Sequence, residues 1–458
     1  MPATVTLTVI RGPLDGKEFV YDQRSICILG RADDCDPRLP DDDAHRTVSR
    51  HHCLIDINPP DVRIRDFGSL NGTHVNETKI GQREAHQTPE EVAAVAFPEH
   101  DLNDGDEIRL GDTVLRVGIR IAPAAPDQHD APRTRQLPRC AKCNHEVGSD
   151  VGARDGDYLC TACQADPEAI VKHLLELARS GQRDVAAMHD YTLLRELGRG
   201  GMGAVYLARH NTTGDQVALK VMLPQVAANT EAKARFLREV ELTKALRHPH
   251  IATLYDAGSS GGTFFFTIEY CPGGSLDQLI ARHGGKLPVG TAIPLAMQAL
   301  DGLEHAHRQG IVHRDLSPHN ILLTGEETPA AKLCDFGLAK AFDQAGLSGL
   351  TRTGAAAGKP YFMPRQQVVN FRNAQPDVDV WALAACLYHM LTGTYPRDFP
   401  SHKDPWQVVL QNAAVPIRRR EPGLPRGLAE AIDQALRERP TIGFPTAAEF
   451  RRALLRGL

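Results

Sequence analysis

No run of eighteen apolar residues occurs anywhere in these 458 residues, so the sequence offers no membrane-spanning helix. The first residues also lack the basic segment and apolar core of a secretory signal. Both absences lead to the expectation of a cytoplasmic protein without a membrane span. Positive charge is not in excess: 52 Lys and Arg against 57 Asp and Glu leave a formal net charge of −5, which gives no reason to expect nucleic acid as a partner. No internal repeat is evident. What remains, 42% hydrophobic and 24% charged residues, is ordinary for a globular chain, and the length allows two or three domains.

Nor do the ten cysteines make a disulfide framework. Six of them (Cys27, Cys35, Cys53, Cys271, Cys334 and Cys386) are scattered. The other four form two C-x-x-C pairs, Cys140 with Cys143 and Cys160 with Cys163, sixteen residues apart. Two turns of this kind present four thiolates tetrahedrally, the spacing of a structural zinc site. In a large charged chain it points to metal rather than disulfides. Iron in the same geometry and two disulfides are the alternatives. With every position filled by protein, a catalytic zinc is not expected. Binding to such sites is worth roughly 10–16 kcal/mol in small peptides, enough to fold a segment with almost no core of its own. The pattern resembles the zinc ribbons.

Residues 4–121 read as an all-β sandwich. "VTLTVI", "RSICIL", "HHCLIDI", "VRIRDF" and "TVLRVGIRI" are strand-like and are separated by Gly, Asp, Asn and Pro turns. "TPEEVAAVAFPEH", 88–100, departs from this: a Thr cap and an acidic first turn predict a helical insertion. Residues 122–138 form a Pro/Ala-rich linker, and the cysteine pairs occupy 139–165. A helical connector spans 166–189, with Asp166 as cap, Pro167 in the first position and Gly181 as stop. Its residues Ile170, Leu174, Leu175 and Ala178 share a face, which predicts packing on a neighbouring domain. From 190 to 457 runs one α+β segment, strands first.

That last segment carries a series of motifs. "LGRGGMGAVYLA" contains G-x-G-x-x-G at Gly198, Gly200 and Gly203, with Val205 behind. A dinucleotide-binding loop would be followed by a helix, whereas here strand-like "AVYLAR", a turn and "QVALKVM" follow. "EAKARFLREVELTKAL" is helical and contains Glu239, the acid that the resemblance named below pairs with Lys220. "FTIEYCPGGSL", "HRDLSPHN", "LCDFGLAK" and "DVDVWALAACLYHMLTG" come next, in that order. The segment resembles the eukaryotic-type protein kinases, with a texture closest to bacterial Ser/Thr kinases. The resemblance implies a bilobal kinase fold using ATP and Mg²⁺. It implies Lys220 on the α/β-phosphates, Asn320 and Asp335 on Mg²⁺, Asp315 as acceptor or orienter of the substrate hydroxyl proton, backbone groups of Glu269 and Cys271 on adenine, Ile268 as gatekeeper, and Asp379 as brace of the catalytic loop.

The family pattern is broken in two places. The lysine usual after H-R-D-L is Ser317 here, and the threonine of G-T-P-x-Y-M-A-P-E-Q is Lys359 in "GKPYFMPRQQ". In the family these two positions lie side by side next to the catalytic aspartate. Hydroxyl and ammonium are therefore expected to have changed places, Lys359 supplying the cation; a solvated Lys359 and a neutral Ser317 are the alternative. The family's A-P-E glutamate aligns with Gln366, and its buried arginine partner with Gly443. Loss of both halves is expected to be tolerated but to leave the activation segment less firmly anchored. In "LSGLTRTGAAAGK", Thr351 and Thr353 match a common autophosphorylation position, with Arg314 as the cation to meet the phosphate; plain turn residues are the other reading.

Between residues 4 and 121, "LGR" (29–31), "SRHH" (49–52) and "NG" (71–72) follow in the order of forkhead-associated (FHA) domains, which the segment resembles. The resemblance implies phosphothreonine recognition by Arg31, Ser49 and Arg50, with Asn71 on the peptide backbone and His52 as a loop brace. The expectation for the whole is a multidomain chain: FHA sandwich, zinc ribbon, and a Ser/Thr kinase that autophosphorylates its activation segment. Its partners would be protein substrates and phosphothreonine-containing proteins, itself among them. The rival expectation is a pseudokinase scaffold acting through phosphothreonine binding.

Overall fold

The computed structural model describes residues 3–22, 25–33, 35–84, 97–121, 139–146, 157, 159–200, 203–223, 230–325, 328–336, 360–369, 374–400 and 403–458. These fall into two compact units. One holds residues 139–272; the other holds 3–121 together with the described residues from 273 onward.

In the latter unit the N-terminal part is a sandwich. A six-stranded sheet runs β2-β1-β10-β9-β6-β7, built from β1 (Ala3–Arg11), β2 (Glu18–Tyr21), β6 (Thr73–Val75), β7 (Thr78–Gly81), β9 (Glu107–Leu110) and β10 (Thr113–Ile121). Against it lies β3-β4-β5-β8, from β3 (Ser25–Leu29), β4 (Cys53–Asn58), β5 (Asp61–Asp66) and β8 (His100–Leu102). Alternation explains the layering: Val5, Leu7 and Val9 point inward along β1, opposite Ile55, Ile57 and Ile64. Most of the expected helical insertion, 88–96, lies outside the described residues. Its end is not helical: residues 97–99 are irregular, and His100 starts β8, which pairs with β5 at Ile64. Completing the sheet edge outweighs local helix propensity there.

The other unit begins with the cysteine pairs and α1 (Pro167–Arg179). Asp166 caps α1 by accepting from the Ala169 N–H, and Gly181 past its end has φ +88°. A five-stranded antiparallel sheet follows in the order β11-β12-β13-β15-β14: β11 (Tyr191–Gly200), β12 (Gly203–His210), β13 (Gln216–Met222), β14 (Leu254–Ser260) and β15 (Thr263–Glu269), with α2 (Thr230–Lys244) between β13 and β14. Ile170, Leu174, Leu175 and Ala178 share one core with Tyr206, Val217 and Leu219 of the sheet, and Cys140, Leu159 and Cys163 belong to the same core.

Returning to the larger unit, its helical part contains α3 (Leu276–Arg282), α4 (Val289–Arg308), the hairpin β16 (Ile321–Leu323) and β17 (Ala331–Leu333), α5 (Arg365–Val369), α6 (Asp377–Thr392), α7 (Pro405–Gln411), α8 (Arg426–Ala435) and α9 (Ala447–Gly457). Helix α6 is apolar on every side and buried along almost its whole length, so it forms the centre on which α4, α8 and α9 pack. Gly393, at φ +71°, ends it in a left-handed cap.

Candidate functional site

The catalytic-loop residues are assembled around one carboxylate. Asp379, in the first turn of α6, is 1% exposed. Its Oδ2 accepts from the His313 N–H (2.7 Å) and lies 2.8 Å from His307 Nε2, and its Oδ1 accepts from the Arg314 N–H (2.8 Å). Burial opposes its ionisation, but the His307 and His313 imidazoles and the Arg314 N–H outweigh burial and hold its pKa below the usual carboxylate value. These bonds keep Arg314 at φ +65°, a conformation that costs about 1–3 kcal/mol for a non-glycine residue. The Arg314 carbonyl accepts from Gln367 Nε2 (2.5 Å), and Arg314 Nη2 donates to the Ala374 carbonyl (3.1 Å). The His313 ring lies 2.9 Å from the Cys334 carbonyl and 4.6 Å, centroid to centroid, from the Phe336 ring.

The pairing of β16 with β17 then brings the metal-ligand candidates together. The Cys334 N–H donates to the Asn320 carbonyl (3.0 Å), which places Asp335, at φ +62°, beside the catalytic loop. Asn320 Nδ2 donates to the Asp315 carbonyl (2.6 Å) and to Asp315 Oδ2 (3.1 Å), so its side-chain oxygen faces the other way. A carboxylate and an amide oxygen are the hard donors that suit Mg²⁺. Ser317 is 1% exposed at the head of the short turn Pro318–Asn320, its carbonyl accepting the Asn320 N–H (2.9 Å). Lys359, Thr351 and Thr353 lie outside the described residues.

In the smaller unit the glycine-rich stretch is a β-hairpin, as expected. Gly200 pairs with Gly203, and Val205 pairs with Lys220 of β13. Gly203, at φ +143°, admits no side chain: a Cβ would stand 1.9 Å from the Val221 carbonyl oxygen. At Gly198 and Gly200 a Cβ would meet nothing within 4 Å, which leaves the strand face open. Lys220 Nζ sits 5.6 Å from the centre of the Phe266 ring. Glu239 is on α2, its side chain outside the description. Ile268 is buried in β15. The Glu269 N–H already donates to the Thr253 carbonyl (2.8 Å), so Glu269 would meet a base through its carbonyl; Cys271 follows, buried.

Residues 360–369, the described end of the activation segment, are held by contacts other than the family's pair. Gln366 Nε2 donates to the Glu438 carbonyl (2.6 Å), and the Arg365 N–H donates to Glu438 Oε1 (2.6 Å). The same oxygen takes Arg397 Nη2, while Arg397 Nη1 binds the Met363 carbonyl (3.2 Å) and its guanidinium stacks 4.6 Å from the Trp381 ring. A different buried pair, Arg397 with Glu438, thus grips the segment. Gly443 cannot carry the missing arginine on this backbone, because its Cβ would fall 1.7 Å from the Gln434 carbonyl oxygen. Nothing in the local sequence marks Arg397 or Glu438, since the pair closes over 41 residues.

The sulfurs of Cys140, Cys143, Cys160 and Cys163 all lie within 4.8 Å of one another. Cys140 and Cys163 are 3.8 Å apart, and Cys143 and Cys160 are 3.6 Å apart. A tetrahedron of 2.3 Å metal–sulfur bonds has edges of about 3.8 Å, so the group fits zinc. Burial opposes ionisation at Cys140, but the N–H groups of Cys143, Cys160 and Lys142 outweigh burial and bring its pKa down to about 6.

At the end of the sandwich, Gly30 lies so close to the 49–52 loop that a Cβ would be 2.1 Å from the Arg50 carbonyl oxygen. The Arg31 N–H donates to the Ser49 carbonyl (3.2 Å). Arg31 Nε binds the Val48 carbonyl (2.5 Å), and its Nη1 pairs with Asp41, a residue sequence reasoning passed over. Ser49 Oγ accepts from the Leu70 N–H (3.0 Å), and Asn71 Nδ2 donates to the Thr47 carbonyl (2.7 Å). His52 is the expected brace: Nδ1 accepts from the Ser49 N–H (3.0 Å) and Nε2–H donates to the Gly72 carbonyl (3.2 Å). Arg50 is exposed. Arg31, Ser49, Arg50 and Asn71 are therefore carried by adjoining loops.

A family model described as the protein kinase domain matches residues 191–435, and one described as the FHA domain matches residues 27–111. The serine/threonine-protein kinase PknF of Mycobacterium tuberculosis is 35% identical over 271 residues, 58% of this chain and 55% of that protein. The serine/threonine-protein kinase pkn2 of Myxococcus xanthus is 32% identical over 240 residues, 52% of this chain and 28% of that protein. The chain spans about half the length, or less, of these relatives. The solved PknI kinase domain of M. tuberculosis is 28% identical, with a TM-score of 0.46, covering 59% of this chain and 96% of that one.

Asp379→Asn should lower the unfolding free energy by about 3–5 kcal/mol, because an amide turns a donor toward N–H groups that need an acceptor. The native carboxyl titrates below 3.8, so its contribution is present above that pH and is lost as the pH falls through the native value. In urea titrations from pH 7 to pH 3 the difference between the two proteins should stay constant down to about pH 4 and begin to narrow below it.

Proposed function

We propose that this chain, which belongs to the protein kinase family and carries an FHA domain, transfers the γ-phosphoryl group of ATP to serine or threonine hydroxyls of protein substrates and reads phosphothreonine through its sandwich. The observation that carries the first half is the grouping of Asp315, Asn320 and Asp335 by Asp379 and the β16–β17 hairpin. The names of the similar proteins support the choice of serine and threonine.

In this reading Asp315 orients the acceptor hydroxyl and takes its proton, while Asn320 and Asp335 hold Mg²⁺, which when bound neutralises the phosphate oxygens. Lys220, on the central strand, orients the α- and β-phosphates under the Gly198–Gly203 hairpin. Arg31, Ser49 and Arg50 offer donors to a phosphothreonine, with the Asp41 carboxylate as the group it must displace from Arg31. The four-cysteine group holds a structural zinc that stiffens the unit bearing Lys220, since Cys140 and Cys163 lie in its core. No helix among the described residues is long and apolar enough to cross a membrane. Ten cysteines without a disulfide among the described residues suit a reducing compartment such as the cytoplasm.

Incubation with ATP and Mg²⁺ followed by mass spectrometry should find phosphate on Thr351 or Thr353. Asp335→Asn should reduce incorporation at least about 100-fold, the scale of losing one positioned charge in the transition state; wild-type protein that incorporates none would reject the catalytic reading. Lys359→Thr should cripple transfer, and Ser317→Lys in the same protein should restore much of it, whereas additive losses would show that no cation has been exchanged. Metal analysis should find one zinc per chain, and its removal by a chelator should lower the thermal midpoint of wild-type protein by several degrees while leaving that of Cys143→Ser unmoved.

A further inference from the structure

The outer face of the β3-β4-β5 sheet is not left to solvent. Ile28 and Phe67, with Ala32 and Cys35 from the adjoining loop, form one buried cluster with Met363, Val368, Val409 and Leu410 of the helical part. Beside the cluster, Arg65 (4% exposed) is paired with Asp404 (3% exposed). Asp404 also accepts the N–H groups of Trp406 (2.8 Å) and Gln407 (3.2 Å) as the cap of α7, and the Arg65 guanidinium lies 5.1 Å from the Phe67 ring. Burying two charges is costly unless geometry and further hydrogen bonds satisfy them, and breaking the pair afterwards costs more. Contacts of this kind belong to a lasting interface, unlike the more polar surfaces along which domains move relative to one another.

A third link starts in the phosphate-reading loop. Arg365, 7% exposed, donates Nη1 to the Leu410 carbonyl and Nη2 to His51 Nε2 (3.2 Å). His51 is next to Arg50 and two residues from Ser49. Burial, with Arg50 and Arg439 nearby, pushes its pKa down to about 4, so at neutral pH it is an acceptor for the guanidinium. On its other side, the Arg365 N–H binds Glu438, which holds Arg397 and through it the Met363 carbonyl. An unbroken series of polar contacts therefore runs from the FHA loop to the anchor of the activation segment.

We infer that the sandwich is docked on the helical part as a built-in regulatory subunit: a phosphothreonine peptide bound at Arg31, Ser49 and Arg50 changes the kinase rate through the His51–Arg365 contact. The inference rests on the proposed reading of both sites. Phosphate, with about −1.5 to −2 charge, displaces Asp41 from Arg31 and draws on Arg50, moving the loop that presents His51. Arg365 then loses or changes its acceptor, and the residues from Met363 to Val369 respond. Couplings of this type alter an equilibrium by roughly 5–150-fold.

The test uses the full chain and a phosphothreonine peptide free of unmodified Ser and Thr, with its unphosphorylated form as control. Peptide binding is read by fluorescence anisotropy, phosphorylation of a separate generic protein substrate by phosphate incorporation, and the state of residues 360–369 by hydrogen exchange, which needs no activity. Saturating phosphopeptide should change the wild-type rate at least about fivefold and alter exchange at 360–369. His51→Ala should bind peptide within about twofold of wild type and show neither change. Arg65→Met with Asp404→Asn, which removes the charges but keeps a capping side chain, should also bind peptide and lose the response. Arg31→Ala should lose binding and response together. A wild type that binds peptide without either change, or a His51→Ala protein that responds like wild type, overturns the coupling. A wild type that binds no phosphopeptide instead rejects the phosphothreonine reading beneath it.

Discussion

One buried carboxylate orders the candidate active site. Asp379 sits where an apolar helix begins, and its two oxygens take the backbone N–H groups of His313 and Arg314 together with the His307 imidazole. This holds a loop residue in the left-handed region that an unaided arginine would leave. The candidate catalytic residues of the helical part are measured from the loop so fixed: Asp315 follows it directly, Asn320 reaches back to Asp315, and the Asn320 carbonyl accepts the N–H that sets Asp335. The proposed phosphoryl transfer asks mainly for charges held in the right places.

Anchoring of the activation segment shows how a fold keeps a function while changing the residues that perform it. Neither Gln366 nor Gly443 can form the family's ion pair. The load passes to Arg397 and Glu438, which hold the same stretch by its backbone at Met363 and Arg365. Stacking on Trp381 and bonds to main-chain carbonyls satisfy the Arg397 guanidinium, so its burial is tolerable. Arg365 is thereby freed to turn toward the sandwich.

How much of this was legible beforehand depended on range. Strands with alternating apolar residues, the Asp166 cap, the glycine-rich hairpin, the four-cysteine group and the role of His52 all follow from residues close together in sequence or from motifs with a fixed spacing. Asp379 was legible for the second reason. The interface residues were not: an arginine at 65 and an aspartate at 404 look like surface charges until the fold places them together, and His51 in "SRHH" reads as a spacer between two better-known positions. The start of β8 was misread because "TPEEVAAV" has a helix-like opening, while pairing with β5, which local composition does not reveal, decides the end of that stretch.

The covered sheet face also has a consequence for biosynthesis. Arg65 and its partner are 339 residues apart. At 5–20 residues per second the ribosome needs roughly 20–70 s to span that interval. For the part of it that follows Ile121, where β10 ends, a completed sandwich displays Ile28 and Phe67 and an uncompensated guanidinium to the surrounding medium. The nascent chain thus carries this exposed patch for far longer than a hairpin or helix takes to form.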